Sequence, residues 1–225
     1  MDLTSMGPTI IIIIITLIAI RVAYVFFQSG KPLCTTSLPQ SYSTLIVLGS
    51  GGHTAEMLNL LAVLDKDKFT PRSYIAAATD NMSLQKAQAM EESLVHQTNA
   101  GKMVEAAQFM QIYRSREVGQ SYLTSVGTTL VAMVHALWLM FKIRPQVILC
   151  NGPGTCIPLC ASAFLLKVAG IKWSSIFYVE SIARVRKLSL SGLLLYKSHL
   201  ADQFFVQWPK LQRKYPRAHY VGCLM

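Results

Sequence analysis

The sequence contains no CxxC pair, and its five cysteines, Cys34, Cys150, Cys156, Cys160 and Cys223, are odd in number. That argues against a disulfide framework, and no zinc site has enough ligands in register, so no metal is expected. Reduced, mostly buried thiols of a cytosolic domain are the simpler reading. Cys156 and Cys160, one helical turn apart, suit a buried helix face. Acidic side chains are scarce as well: 11 Asp and Glu stand against 21 Lys and Arg, a formal net charge of +10. The basic residues are not interleaved with a known nucleic-acid motif. Anionic lipid headgroups or a phosphorylated substrate are therefore better partners for this surface than nucleic acid.

Lys and Arg are also missing ahead of the first apolar run, where MDLTSMGP carries only Asp2. A secretory signal peptide would have positive charge there and a small-residue cleavage site afterwards. The run itself, TIIIIIITLIAIRVAYVFF from Thr9 to Phe27, is nineteen residues with the single charge of Arg21. A membrane-spanning helix needs roughly 20 mostly apolar residues, and lipid forces the isoleucines into a helix because the backbone must satisfy itself. Arg21, Tyr24, Phe26, Phe27 and Lys31 form an aromatic and basic exit. The charge bias predicts a lumenal N-terminus at 1–8, a retained span at 9–27 and a body on the cytosolic side.

Residues 28–43, with Pro32 and Pro39, read as a short linker, and 44–225 as one domain. Strands are expected at Thr44–Leu48, Ser73–Ala78, Phe109–Tyr113, Val147–Cys150, Ser174–Val179, Gln203–Val206 and near His219–Val221. Helices are expected between them, at Ala55–Leu64, Ser83–Ser93, Ser125–Lys142, Ile157–Val168, Ser191–Leu200 and Lys210–Lys214. Continuous apolar strands alternating with helices predict a doubly wound, Rossmann-like parallel sheet. The apolar stretch Val126–Phe141 is sixteen residues, short of a bilayer core, and is expected to be a buried or membrane-apposed helix of the fold.

Every polar or glycine-rich cluster follows a strand: GSGGHT, TDN, RSRE, NGPGT, ESIAR and QWP. In a parallel sheet these loops share one edge, where ligands bind. The first, at Gly49, Ser50, Gly51, Gly52, His53 and Thr54, is not a P-loop, since no Gly-Lys-Ser/Thr follows. It is not a dinucleotide fingerprint either, since Thr54 stands where a third glycine belongs. No cofactor is expected. The loop reads either as a tight turn with an N-capping threonine or as a phosphate cradle at a positive helix end. NGPGT, with Asn151, Gly152, Gly154 and Thr155, repeats the pattern, and Arg184 and Arg186 add charge. Glu180 ends an apolar strand, where a carboxylate needs an arginine such as Arg184, a ligand hydroxyl or water.

GSGGHTAEML, NGPGTCIP, YVESIARV with LSLSG, and FFVQWPKL with KYP together resemble one family. It is the asparagine-linked glycosylation protein fourteen family, membrane-anchoring subunits of a eukaryotic UDP-N-acetylglucosamine (UDP-GlcNAc) transferase. The resemblance runs from about Leu45 to the C-terminus. It implies the N-terminal, acceptor-side half of a GT-B glycosyltransferase. The implied partner is a soluble UDP-GlcNAc-binding subunit, asparagine-linked glycosylation protein thirteen. Together they would add the second GlcNAc to dolichyl-diphosphate-GlcNAc at the cytosolic face of the endoplasmic reticulum, and other early enzymes of the dolichol pathway stay open as neighbours. The chain alone is then expected to be inactive. The anion at GSGGHT would be the acceptor diphosphate. The base for an inverting transfer would be His53, whose ordinary titration range lies nearest neutrality, with Glu180 second and Asp80 weaker. A non-catalytic membrane scaffold for the donor-binding subunit remains the alternative. In the tail AHYVGCLM, Gly222 holds the position where prenylation needs cysteine. Tyr220, Val221, Leu224 and Met225 are therefore expected to dock the partner.

Overall fold

A computed structural model of the chain describes residues 3–30, 41–97, 106–114 and 122–223. Seven parallel strands form one sheet: β1 (Thr44–Val47), β2 (Arg72–Ala77), β3 (Gln108–Ile112), β4 (Val147–Asn151), β5 (Ser175–Val179), β6 (Gln203–Val206) and β7 (His219–Tyr220). Their order is β3-β2-β1-β4-β5-β6-β7. Seven helices accompany them: α1 (Leu3–Gln28), α2 (Gly52–Val63), α3 (Asn81–Gln97), α4 (Tyr122–Ile143), α5 (Cys156–Val168), α6 (Leu190–Lys197) and α7 (Pro209–Lys214). The expected doubly wound sheet is what the chain adopts. The order runs outward from β1 in one direction and from β4 in the other, so the topological switch lies between these two strands.

Strand alternation sorts the apolar runs onto two faces. Leu45, Val47, Ile148 and Cys150 face a core built with Leu139 and Met140 of α4, Leu159 and Cys160 of α5, Leu195 of α6 and Leu211 of α7. Ile46, Leu48, Val147 and Leu149 face the other side, against Met57 and Leu61 of α2 and Ala87 of α3. Each fully buried leucine or isoleucine contributes about 1.5–3 kcal/mol of transfer free energy. Cys150, Cys156 and Cys160 are buried, whereas Cys223 is exposed. Cys34 and Lys31, like most of the expected linker, lie outside the described residues.

Two helices among the described residues are long and apolar enough to cross a membrane, at Pro8–Gln28 and Val126–Ile143. Ile10 to Ile20 of α1 lie open, while its last turns dock on the domain. There Val25 is fully buried, the Phe26 ring meets Phe164 at 5.4 Å, and Arg21 donates to the carbonyls of Lys167 and Val168 at 3.1 Å. Arg21 and Phe26, expected from the sequence to mark an exit from lipid, fasten the helix to the C-terminal end of α5. The second stretch differs from its expected form. Helix α4 extends over 22 residues, so a length argument does not set it apart from a span. What places it in the fold is packing, with Ala132, Ala136, Leu139 and Met140 buried. Its outer face leaves Leu130, Val134, Trp138 and Phe141 exposed, so the helix is only half buried.

Candidate functional site

At the switch between β1 and β4, two glycine loops turn toward one another. Gly51 takes φ +61° as the N-cap of α2, a conformation that costs little only for glycine. No side chain caps α2, so its first amides are left for water or a ligand. Ser50, Gly51 and Gly52 are exposed, and a Cβ at Gly51 or Gly52 would meet nothing within 4 Å. Gly154 before α5 is equally open. Thr54 is not the cap. It lies inside α2, buried, and its hydroxyl donates to the Gly49 carbonyl and pairs with Ser83 at 2.7 Å. Thr155 is the N-cap of α5 but makes no capping bond, and its buried hydroxyl has no partner.

His53 is the residue on which the two loops converge. Its Nδ1 lies 3.2 Å from Oδ1 of Asn151, across the switch point. The ring lies against the backbone of Gly152, where a Cβ would come within 2.5 Å of Cε1. Gly49 is constrained in the same way, because a Cβ there would lie 2.8 Å from Cβ of His53 and 2.9 Å from Cβ of Pro153. Glycine at 49 and 152 is therefore a matter of space for the imidazole and the proline. His53 itself is half-buried, with access to solvent.

Glu180 is placed differently from a group meeting an arginine or a ligand. Its side chain is fully buried. Oε2 accepts from the Ser189 amide at 3.0 Å and its hydroxyl at 3.1 Å, and Oε1 accepts from the Ser181 amide at 3.2 Å. Burial raises its pKa above the ordinary glutamate value. The Ser189 and Ser181 hydrogen bonds, and last the charge of Arg184, work in the opposite direction. Burial likewise pushes the neighbouring Tyr178 phenol up. Gly192 closes over Glu180, since a Cβ there would fall on Oε2. Arg184 and Arg186 lie exposed on the loop that follows. Asp80 caps α3, its two oxygens accepting from the amide and hydroxyl of Ser83. Of the RSRE cluster, Ser115 to Glu117 lie outside the described residues.

Glu56 is the functional candidate that sequence reasoning missed. It is buried, one turn after His53 on the same helix. Oε2 accepts from Nδ2 of Asn151 at 3.0 Å and from the Ile182 amide at 3.3 Å, and Oε1 accepts from the Ser181 hydroxyl at 2.7 Å. One carboxylate thus joins the loops after β1, β4 and β5. The signal was present as the i, i+3 spacing of His53 and Glu56 in GSGGHTAE.

The tail lies on the outer strand. Tyr220 and Val221 are 45% and 41% exposed, and Leu224 and Met225 lie outside the described residues.

The sheet domain matches a family model described as "Oligosaccharide biosynthesis protein Alg14 like" over residues 44–224. The chain belongs to that family. Among named relatives, the mouse "UDP-N-acetylglucosamine transferase subunit ALG14" is 47% identical over 183 residues, covering 81% of this chain and 83% of its own. The human subunit of the same name is 46% identical over 187 residues, with 81% and 83% covered. The Yarrowia lipolytica subunit is 45% identical over 181 residues, with 80% of each chain covered. Among solved structures, Acinetobacter baumannii MurG aligns with a TM-score of 0.49 at 18% identity, over 75% of this chain and 42% of that one. The Alg14-like match contains both glycine loops, His53, Glu56 and Glu180. It begins beyond α1.

Proposed function

We propose that this chain is the membrane-anchoring, acceptor-side subunit of a two-chain UDP-GlcNAc transferase, the acceptor-side half of a GT-B enzyme. Its soluble partner would bind UDP-GlcNAc, and the pair would extend dolichyl-diphosphate-GlcNAc at the cytosolic face of the endoplasmic reticulum. The observation that carries this reading is the uncapped, glycine-flanked start of α2 beside a solvent-accessible His53 at the switch point. An uncapped helix start supplies amides and a positive dipole end to a diphosphate. The open positions at Gly51, Gly52 and Gly154 leave room for its oxygens. Helix α1 would hold the crevice beside the lipid that carries this acceptor.

In the reaction, the acceptor hydroxyl oxygen forms a bond to the anomeric carbon while the bond from that carbon to the UDP oxygen breaks. UDP leaves with the electron pair, and the anomeric centre inverts. His53 takes the hydroxyl proton. Glu180 stands second as base, since its oxygens are occupied by Ser181 and Ser189 and would have to be released first.

The test is reconstitution in micelles containing UDP-GlcNAc and a lipid-diphosphate-GlcNAc acceptor. The expected result is transfer only when the soluble donor-binding subunit is added. Sustained transfer by this chain alone would overturn the half-enzyme reading. Transfer by the pair that survives both His53→Ala and Glu180→Gln would favour the scaffold instead.

A further inference from the structure

We propose that Glu56 and Asn151 form a positioning relay that fixes the tautomer of His53, with Nδ1 protonated and Nε2 bare toward the crevice. The proposal rests on His53 being the base and names the groups that prepare it. A carboxylate can only accept hydrogen bonds, so the Asn151 amide must turn its NH2 toward Glu56. That leaves Oδ1, also only an acceptor, facing His53 at 3.2 Å. Nδ1 must therefore carry the hydrogen, and in the neutral ring Nε2 then holds the free lone pair. The orientation of the whole set is decided at Glu56, whose two oxygens are anchored from the far side by Ser181 and Ile182.

Burial and sterics make this arrangement stiff. Glu56 is 7% exposed and Asn151 2%, so neither can exchange its partner for water without opening the loops. The ring cannot swing away across Gly152, whose backbone it touches. A base oriented by a second group, itself oriented by a third, is the arrangement expected of an activated proton acceptor. Neither Glu56 nor Asn151 needs to touch the acceptor for this to work. They are positioning residues.

A directing role for Glu56 and a merely stabilising one separate experimentally. Glu56→Gln keeps the shape but permits the Asn151 amide to flip, so His53 loses its directed acceptor. With the assembled two-chain enzyme, kcat should fall roughly 10-fold or more, with the acceptor KM little changed. Ser174→Ala deletes a buried hydroxyl that donates to the Pro145 carbonyl, at the opposite end of β5 from the crevice, so it should lower thermal stability with kcat near normal. Nitrogen NMR of the full chain, labelled at its five histidines and assigned by the signal lost in His53→Ala, reads the tautomer without any turnover. The wild type should show His53 protonated at Nδ1, and Glu56→Gln a mixture. An Nε2-protonated His53 in the wild type, an unchanged tautomer in Glu56→Gln, or equal losses of kcat in Glu56→Gln and Ser174→Ala would each overturn the relay. Full turnover by His53→Ala would instead overturn the base assignment, and the tautomer measurement keeps the two failures apart.

Discussion

Gly152 and His53 occupy one space: a Cβ on the glycine would lie 2.5 Å from Cε1 and 2.8 Å from Nδ1 of the imidazole. Gly152 also takes φ +73°, so alanine there meets strain from the backbone and collision with the ring. The ring is the movable partner, and its displacement breaks the bond to Asn151. Gly152→Ala should therefore lower turnover of the assembled enzyme by roughly 10²-fold, comparable with removing a general base. The soluble subunit should still co-purify. Turnover within about twofold of wild type would show that the ring position does not matter to the chemistry.

Glu180 should make stability fall with rising pH. Burial raises its pKa, so the folded chain holds this proton to a higher pH than the unfolded chain does. The protonated form is favoured fully below the unfolded value, and that advantage is lost as pH rises from there through the folded one. Denaturant unfolding of the detergent-solubilised chain should show this decline beginning in the ordinary glutamate range. Glu180→Gln should flatten it. Parallel pH profiles for the two chains would mean that Glu180 titrates alike in the folded and unfolded states.

Arg21 ties α1 to the domain through the carbonyls of Lys167 and Val168 at the end of α5, the first of which also accepts from the Gly170 amide. Hydrogen bonds to a charged group contribute about 1.5–3 kcal/mol. Arg21→Leu should keep the helix in the membrane, as leucine only adds to its apolar run, yet lower Tm by about 3–10 °C for a chain of this size. Resistance to carbonate extraction should be unchanged. An unshifted Tm would mean that α1 and α5 associate through Phe26 and Val25 alone.

Each of the seven strands was legible to within one residue, because a short apolar run bounded by glycine, proline or polar residues leaves little choice. Helix starts were less so. Helix α2 begins at Gly52 rather than Ala55, since it starts on glycines without a side-chain cap. Helix α4 begins at Tyr122 rather than Ser125, because Tyr122, Leu123 and Thr124 precede the apolar run that marked it. Within the crevice, the glycine loops and His53 could be read because their chemistry is local. The Glu56–Asn151 contact could not, because it joins residues 95 apart, with β2, α3, β3 and α4 between them. Glu180 was singled out correctly as a buried carboxylate, but the serines that satisfy it lie in a loop whose path the sequence does not specify.

Strand β7 pairs with β6 through Phe205–His219 and Val206–Tyr220, and the Val221 amide donates to the Val206 carbonyl at 3.2 Å. The backbone therefore packs back onto its own sheet. The side chains do not: Tyr220 and Val221 remain 45% and 41% exposed on an outer strand whose far side pairs with no other described strand. An exposed apolar pair beside an unpaired edge is a template for another chain. With two residues of β7 contributing little to the core, cutting beyond them should be tolerated by the fold. Removing residues 222–225, or introducing Tyr220→Asp with Val221→Asp, should leave the chain folded and membrane-bound. Either change should release the soluble donor-binding subunit during co-purification and abolish transfer. Recovery of that subunit at normal yield from both variants would place its docking surface elsewhere on the domain.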